Sequence, residues 1–137
     1  GKRSFSCRIK DFAVIDKDYY YFNIPCGDFT GALGTTTDER KNPLYWGGYS
    51  ENHTQIRLVL PPSFQNVVIT PQDVNWTQPS GKGELVSRKS VNPDRSITFN
   101  YTVNLMPDVI PPEKYKELKD LSKTLYHSAM TTVLLKK

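Results

Sequence analysis

The chain has 137 residues, which sets a single domain with one sizeable core as the expectation. Hydrophobic residues make up 37% and aromatics 12%, with Tyr 8, Phe 6 and Trp 2, so much of that core is expected to be aromatic. Eighteen basic against 14 acidic residues give a net charge of only +4, and the cations are scattered. That balance argues against nucleic acid as a partner, which calls for a denser basic face.

No apolar run reaches the 18 residues that a membrane span needs, and no signal peptide is visible. Gly1-Lys2-Arg3-Ser4 lacks an initiating Met. Gly1 reads as a scar of tag removal, and residues 2–137 as one domain excised from a larger protein. Ten Pro and eight Gly spread along the chain fit short strands joined by turns better than a helical bundle.

The first unit reads as a β-hairpin, with strands over 5–15 and 19–24 and a turn at Asp16-Lys17-Asp18. With Asp16 and Lys17 at the turn centre, paired residue numbers sum to 33, and Cys7 and Cys26 fall opposite each other. Both a disulfide and two semi-buried thiols satisfy that register. Residues 27–43 read as loop, and 44–50 as an aromatic, Gly-rich stretch. A strand over 54–60 puts Ile56, Leu58 and Leu60 on one face before Pro61-Pro62. Another strand covers 64–70 and stops at Pro71, and 71–83 reads mostly as loop.

Residues 84–91 and 96–106 form a second hairpin around the turn Asn92-Pro93-Asp94-Arg95. Ile97, Phe99, Tyr101, Val103 and Leu105 share its apolar face. Pro112 and Glu113 open the one good helix. Tyr115, Leu118, Leu121, Leu125 and Ala129 form its stripe, with Lys114, Lys116, Glu117, Lys119, Asp120 and Lys123 toward water. A last strand is expected over 131–135.

Recognisable chemistry is sparse. A nucleophile–base pair would have to join Cys7 or Cys26 to His53 or His127, and neither thiol sits in an elbow motif. No catalytic residue is therefore assigned, and no cofactor. Two lone histidines and scattered acids have no metal-ligand spacing. Gly81-Lys82-Gly83 lacks the strand-before, helix-after context of a phosphate loop and reads as a turn. The Asn-x-Thr triplets at Asn52, Asn75 and Asn100 are read as chance in an Asn- and Thr-rich β protein rather than as glycan acceptors. The most distinctive feature is aromatic. Tyr45, Trp46 and Tyr49, with Trp76, would serve as an interface or a sugar-stacking platform, or else as core.

One order of features is distinctive: Arg40-Lys41-Asn42-Pro43-Leu44, a strand from Thr54 ending in Leu60-Pro61, a strand from Phe64 to Pro71, then a hairpin. After these comes Ile110-Pro111-Pro112-Glu113-Lys114-Tyr115-Lys116-Glu117-Leu118, with a close at Leu134-Leu135-Lys136-Lys137. This layout resembles the C-terminal β domain, of unknown function, in bacterial transglutaminase-like proteins of the papain superfamily. The resemblance implies a neighbouring Cys-His-Asp catalytic core on the same chain, and a periplasmic, outer-membrane-associated or secreted location. None of that family's catalytic motifs matches a segment here.

The expected fold is a mainly β sandwich, with immunoglobulin-like packing as one version, and one amphipathic helix near the C-terminus. The expected function is a non-catalytic accessory or interaction domain packed on a transglutaminase-like core. Two alternatives are a carbohydrate-binding module using the surface aromatics and a small stand-alone hydrolase.

Overall fold

The computed structural model describes residues 9–24, 39–60, 62–63, 66–126 and 131–137. Cys7, Cys26 and His127 lie outside these residues, and so do positions 27–38 of the loop expected over 27–43. Among the described residues are ten strands and one helix. They run β1 Val14–Asp16, β2 Tyr19–Asn23, β3 Leu44–Trp46, β4 Ser50–Leu58, β5 Asn66–Ile69, β6 Val74–Thr77, β7 Glu84–Val91, β8 Ile97–Leu105, β9 Asp108–Ile110, α1 Pro112–Tyr126 and β10 Thr132–Lys136. The fold is mainly β with one helix near the C-terminus, as the residue pattern predicts.

Two four-stranded antiparallel sheets, ordered β1-β2-β10-β5 and β4-β8-β7-β6, build the domain, with a β3–β9 ribbon beside them. Both sheets feed one core in a sandwich-like arrangement. Phe22, Val133 and Leu135 come from the first, and Leu85, Ile97, Phe99, Tyr101, Val103 and Leu105 from the second. The alternation read in β8 holds residue by residue, since every odd position from Ile97 to Leu105 is buried. Ile56, Leu58 and Leu60 pack against that core. Tyr115 and Leu118 bury the stripe of α1, with Leu121 at its margin. The further stripe positions, Leu125 and Ala129, lie outside the described side chains.

Several elements differ from expectation. The first hairpin turns one residue later, on Lys17 and Asp18, so Asp16 faces Tyr19, Ile15 faces Tyr20 and Val14 faces Tyr21. Lys17 supplies the left-handed turn backbone (φ 50°). Paired numbers therefore sum to 35. Each partner moves by two residues, which keeps every side chain on its expected face. The register that set Cys7 opposite Cys26 does not hold at this turn. β1 is also short, because Asp11 takes a left-handed φ of 56° and breaks the extended run expected from residue 5.

β4 starts at Ser50 rather than Thr54, drawn out by nine consecutive pairs with β8. Within 71–83, expected to be loop, β6 forms on the edge of the second sheet by pairing Val74–Thr77 with Ser87–Glu84. The β3–β9 ribbon was equally invisible to periodicity. Its two strands have three residues each, too few to show an alternation.

The β7–β8 turn is tied by side chains. Asp94 Oδ1 accepts from the Ser96 N–H (3.1 Å) and hydroxyl (2.6 Å). Arg57 donates to Ser96 Oγ at 3.0 Å and forms an ion pair with Asp94. Asn92 donates to Ser96 Oγ and Thr98 Oγ1, each at 2.8 Å. The Ser96 hydrogen bonds, then Arg57, hold the Asp94 carboxyl below its ordinary value of 3.8. A depressed carboxylate contributes stability above its unfolded value and loses it as pH falls through its folded value. Melting temperatures of the parent chain and Asp94→Asn should therefore differ at neutral pH and converge as pH falls below about 3.8. A gap that stays constant to pH 2 would contradict this account.

Candidate functional site

The outer faces of the two sheets differ in chemistry, although both are built by the same alternation. On β4-β8-β7-β6 the outward positions are Glu51, His53, Gln55 and Arg57; Thr98, Asn100, Thr102 and Asn104; Glu84, Val86, Arg88 and Ser90; and Asn75 and Thr77. Val86 is the lone apolar side chain among them. This is the expected face of an antiparallel sheet with water on one side.

The outer face of β1-β2-β10-β5 breaks that rule. Pairing aligns Val14, Tyr21, Leu134 and Ile69 in one row across all four strands. Val14 is 65% exposed, and Tyr21 and Ile69 are also exposed. The next row, Asp16, Tyr19, Lys136 and Asn66, is amphipathic, with the Lys136 ammonium 5.7 Å from the Tyr19 ring centroid. Among the described residues, no strand pairs with the outer edge of β1 or of β5. All four residues of β5 are exposed, three of them β-branched, and a bulge against Leu134/Leu135 places Val68 as the extra residue.

The four aromatics singled out in the sequence do not form one platform. Trp76 is 7% exposed and belongs to the core, on the inward side of β6. Trp46 is half-buried and packs against the same core. Tyr45 and Tyr49 are 73% and 60% exposed. Alternation along β3 explains the split between Tyr45 and Trp46. Both rings fold back over the glycines that follow. A Cβ on Gly47 would meet Tyr45 Cε1 at 3.1 Å, and one on Gly48 would meet Trp46 Nε1 at 3.3 Å.

Tyr49 leads into a polar line along β4. Its hydroxyl donates to Glu51 Oε2 at 2.5 Å, which holds the phenol above its ordinary 10.0. Glu51 Oε1 lies 3.9 Å from His53 Nε2, and His53 Nδ1 lies 3.3 Å from Thr102 Oγ1. Sequence reasoning missed this line because it began the strand at Thr54. Hydroxyl, imidazole and carboxylate in that order have the connectivity of a hydrolytic triad. Among the described residues, the setting does not supply the oxyanion donors of such a site. Thr102 sits mid-strand between β4 and β7, where backbone N–H groups serve the ladders rather than an oxyanion. The line acts as cross-strand pairing on an open face. The thiol–imidazole pairings involve Cys7, Cys26 and His127, outside the described residues. Among the described residues, no three His, Asp or Glu side chains cluster as metal ligands.

Comparison with protein families matches residues 17–135 to a domain of unknown function with solved-structure structure, DUF3858. The chain belongs to the DUF3858 family. The match takes in every strand from β2 onward except the last residue of β10, and so includes most of the apolar sheet face. No curated protein and no solved structure matches the chain. Among the described residues of this DUF3858 domain, no helix is long and apolar enough to cross a membrane.

Proposed function

We propose that this domain is a non-catalytic accessory module that docks on a neighbouring domain of the same polypeptide through the outer face of β1-β2-β10-β5. One observation carries the reading: the apolar row Val14–Tyr21–Leu134–Ile69, exposed except at half-buried Leu134, on a sheet whose counterpart has an almost wholly polar outer face. Apolar surface gathered in this way, beside open strand edges, marks an interaction site. The resemblance in layout points to a transglutaminase-like catalytic core as the neighbour, in a periplasmic, outer-membrane-associated or secreted bacterial protein.

Hydrogen exchange tests the reading, with the isolated domain set beside the longer natural polypeptide. Amides of β1 and β5 should exchange at least tenfold more slowly in the longer chain. Ile69→Glu should abolish that protection while leaving the isolated domain folded. Equal exchange in the two contexts would sink the proposal. A carbohydrate-binding reading keeps support from Tyr45 and Tyr49 alone, since the two tryptophans pack inward. It requires retardation of the domain in polysaccharide gels that Tyr45→Ala removes.

A further inference from the structure

Away from the apolar face, a groove of about 460 Å³ runs along α1. That volume falls within the usual range of small-molecule sites. Its lining includes four cations, Arg40, Lys116, Lys119 and Lys123, against two carboxylates, Glu39 and Asp120. The lysines expected merely to face water thus make one wall of a concavity.

Helical spacing explains the wall. Positions 116, 119 and 123 follow one another at intervals of three and four, so they share a stripe. Lys116 and Lys123 are separated by about 10 Å along the axis, from a rise of ~1.5 Å per residue. Arg40 lines the same groove, and its guanidinium lies 5.6 Å from the ring centroid of buried Tyr115. Stacking on a fixed ring orients the guanidinium before any ligand arrives.

Charge compensation separates this stripe from the rest of the helix. Lys114, outside the groove, forms an ion pair with Glu117 at 3.1 Å. Among the described residues, Lys116 and Lys123 have no carboxylate within ion-pair distance. Four cations against two carboxylates leave the concavity net positive, which raises the local concentration of anions.

We infer that the α1 groove binds a small polyanion, one bearing two or more carboxylate or phosphate groups within about 10 Å, the length of the lysine stripe. Arg40 would take one group in its planar fork, and Lys116 and Lys123 would take the others as point charges. The site is independent of the sheet face proposed for docking.

The test is an NMR titration of the isotope-labelled domain with citrate, and separately with inorganic pyrophosphate, at ionic strength held constant with sodium chloride. Saturable shifts should map to α1 and Arg40. Arg40→Gln, and separately Lys116→Gln/Lys123→Gln, should weaken the affinity at least tenfold with the far-ultraviolet spectrum unchanged. The preferred probe distinguishes carboxylate from phosphate chemistry. Shifts that never saturate, that sodium chloride alone reproduces, or that persist at equal affinity in both variants would overturn the inference.

Discussion

Gly83→Ala is expected to unfold at a much lower urea concentration than the parent chain, with a loss of about 3 kcal/mol from two steric clashes and two or more broken hydrogen bonds. A Cβ on Gly83 would stand 1.8 Å from Gln78 Oε1 and 2.6 Å from the Asn104 carbonyl oxygen. The second contact is backbone, at the end of β8 where Asn104 pairs with both Glu51 and Glu84, and cannot yield cheaply. The first is the amide of a side chain that is itself committed. Gln78 is 2% exposed. Its Nε2 donates to the Met106 carbonyl, and its Oε1 accepts from the Met106 N–H, both at 2.9 Å.

Gln78 thus crosses the head of β7 and pairs with the end of β8 as a strand residue would. Its own N–H donates to the Gly83 carbonyl at 2.8 Å. Gly83 is required because another residue's side chain passes where its own would begin. A double-mutant cycle separates the causes. Gln78→Ala alone should lose about 1–3 kcal/mol from the exposed backbone partners. Adding Gly83→Ala to it should cost less than Gly83→Ala costs the parent. A Gly83→Ala chain within 0.5 kcal/mol of the parent, roughly the scatter of neutral surface changes, would refute this role.

Phe99→Ala is the second large expectation, at about 3–5 kcal/mol for a large-to-small change in a packed core. Phe99 lies two residues into β8, a strand flanked on both sides, facing Ile56 on β4 and Lys89 on β7. It is among the largest side chains wholly enclosed in the domain. A domain of ordinary stability holds about 5–15 kcal/mol in total, so this one change should leave a sizeable unfolded fraction at physiological temperature. Tyr45→Ser, on the exposed side of the ribbon, should stay within about 0.5 kcal/mol. Urea denaturation of the pair measures both. Equal losses would mean that the division of aromatics between core and surface is wrong.

Legibility followed the length and regularity of each element. β8 and α1 could be read from the chain because alternation or a helical stripe persists along them, and β7 because it abuts the turn at Asn92-Pro93-Asp94-Arg95. β3, β6 and β9 could not, since three or four residues carry no period, and β3 and β9 are also distant from each other in sequence. The first hairpin was placed correctly but paired two residues out, because Asp16-Lys17-Asp18 offers two turn centres of similar chemistry.

The site was less legible still. An aromatic cluster is visible as letters, but only strand alternation assigns Tyr45 to water and Trp46 to the core. The apolar row Val14–Tyr21–Leu134–Ile69 joins residues from both ends of the chain, so no window of sequence contains it. The Gly81-Lys82-Gly83 segment was read as a turn and is one, with Gly81 at φ 73°. What the letters do not reveal is that Gly83 is there for clearance rather than for turning.

The place of β10 bears on how the chain is made. This strand lies between β2 and β5, and Thr132 reaches Asn23 across 109 positions of sequence. During synthesis the first hairpin therefore emerges from the ribosome long before the strand that covers its inner edge. Its sheet closes only after residues 132–136 have left the exit tunnel, so the domain assembles after its synthesis rather than in step with it. Until then β2 and β5 each offer an open edge, and chaperone binding to nascent chains should be strongest in that interval.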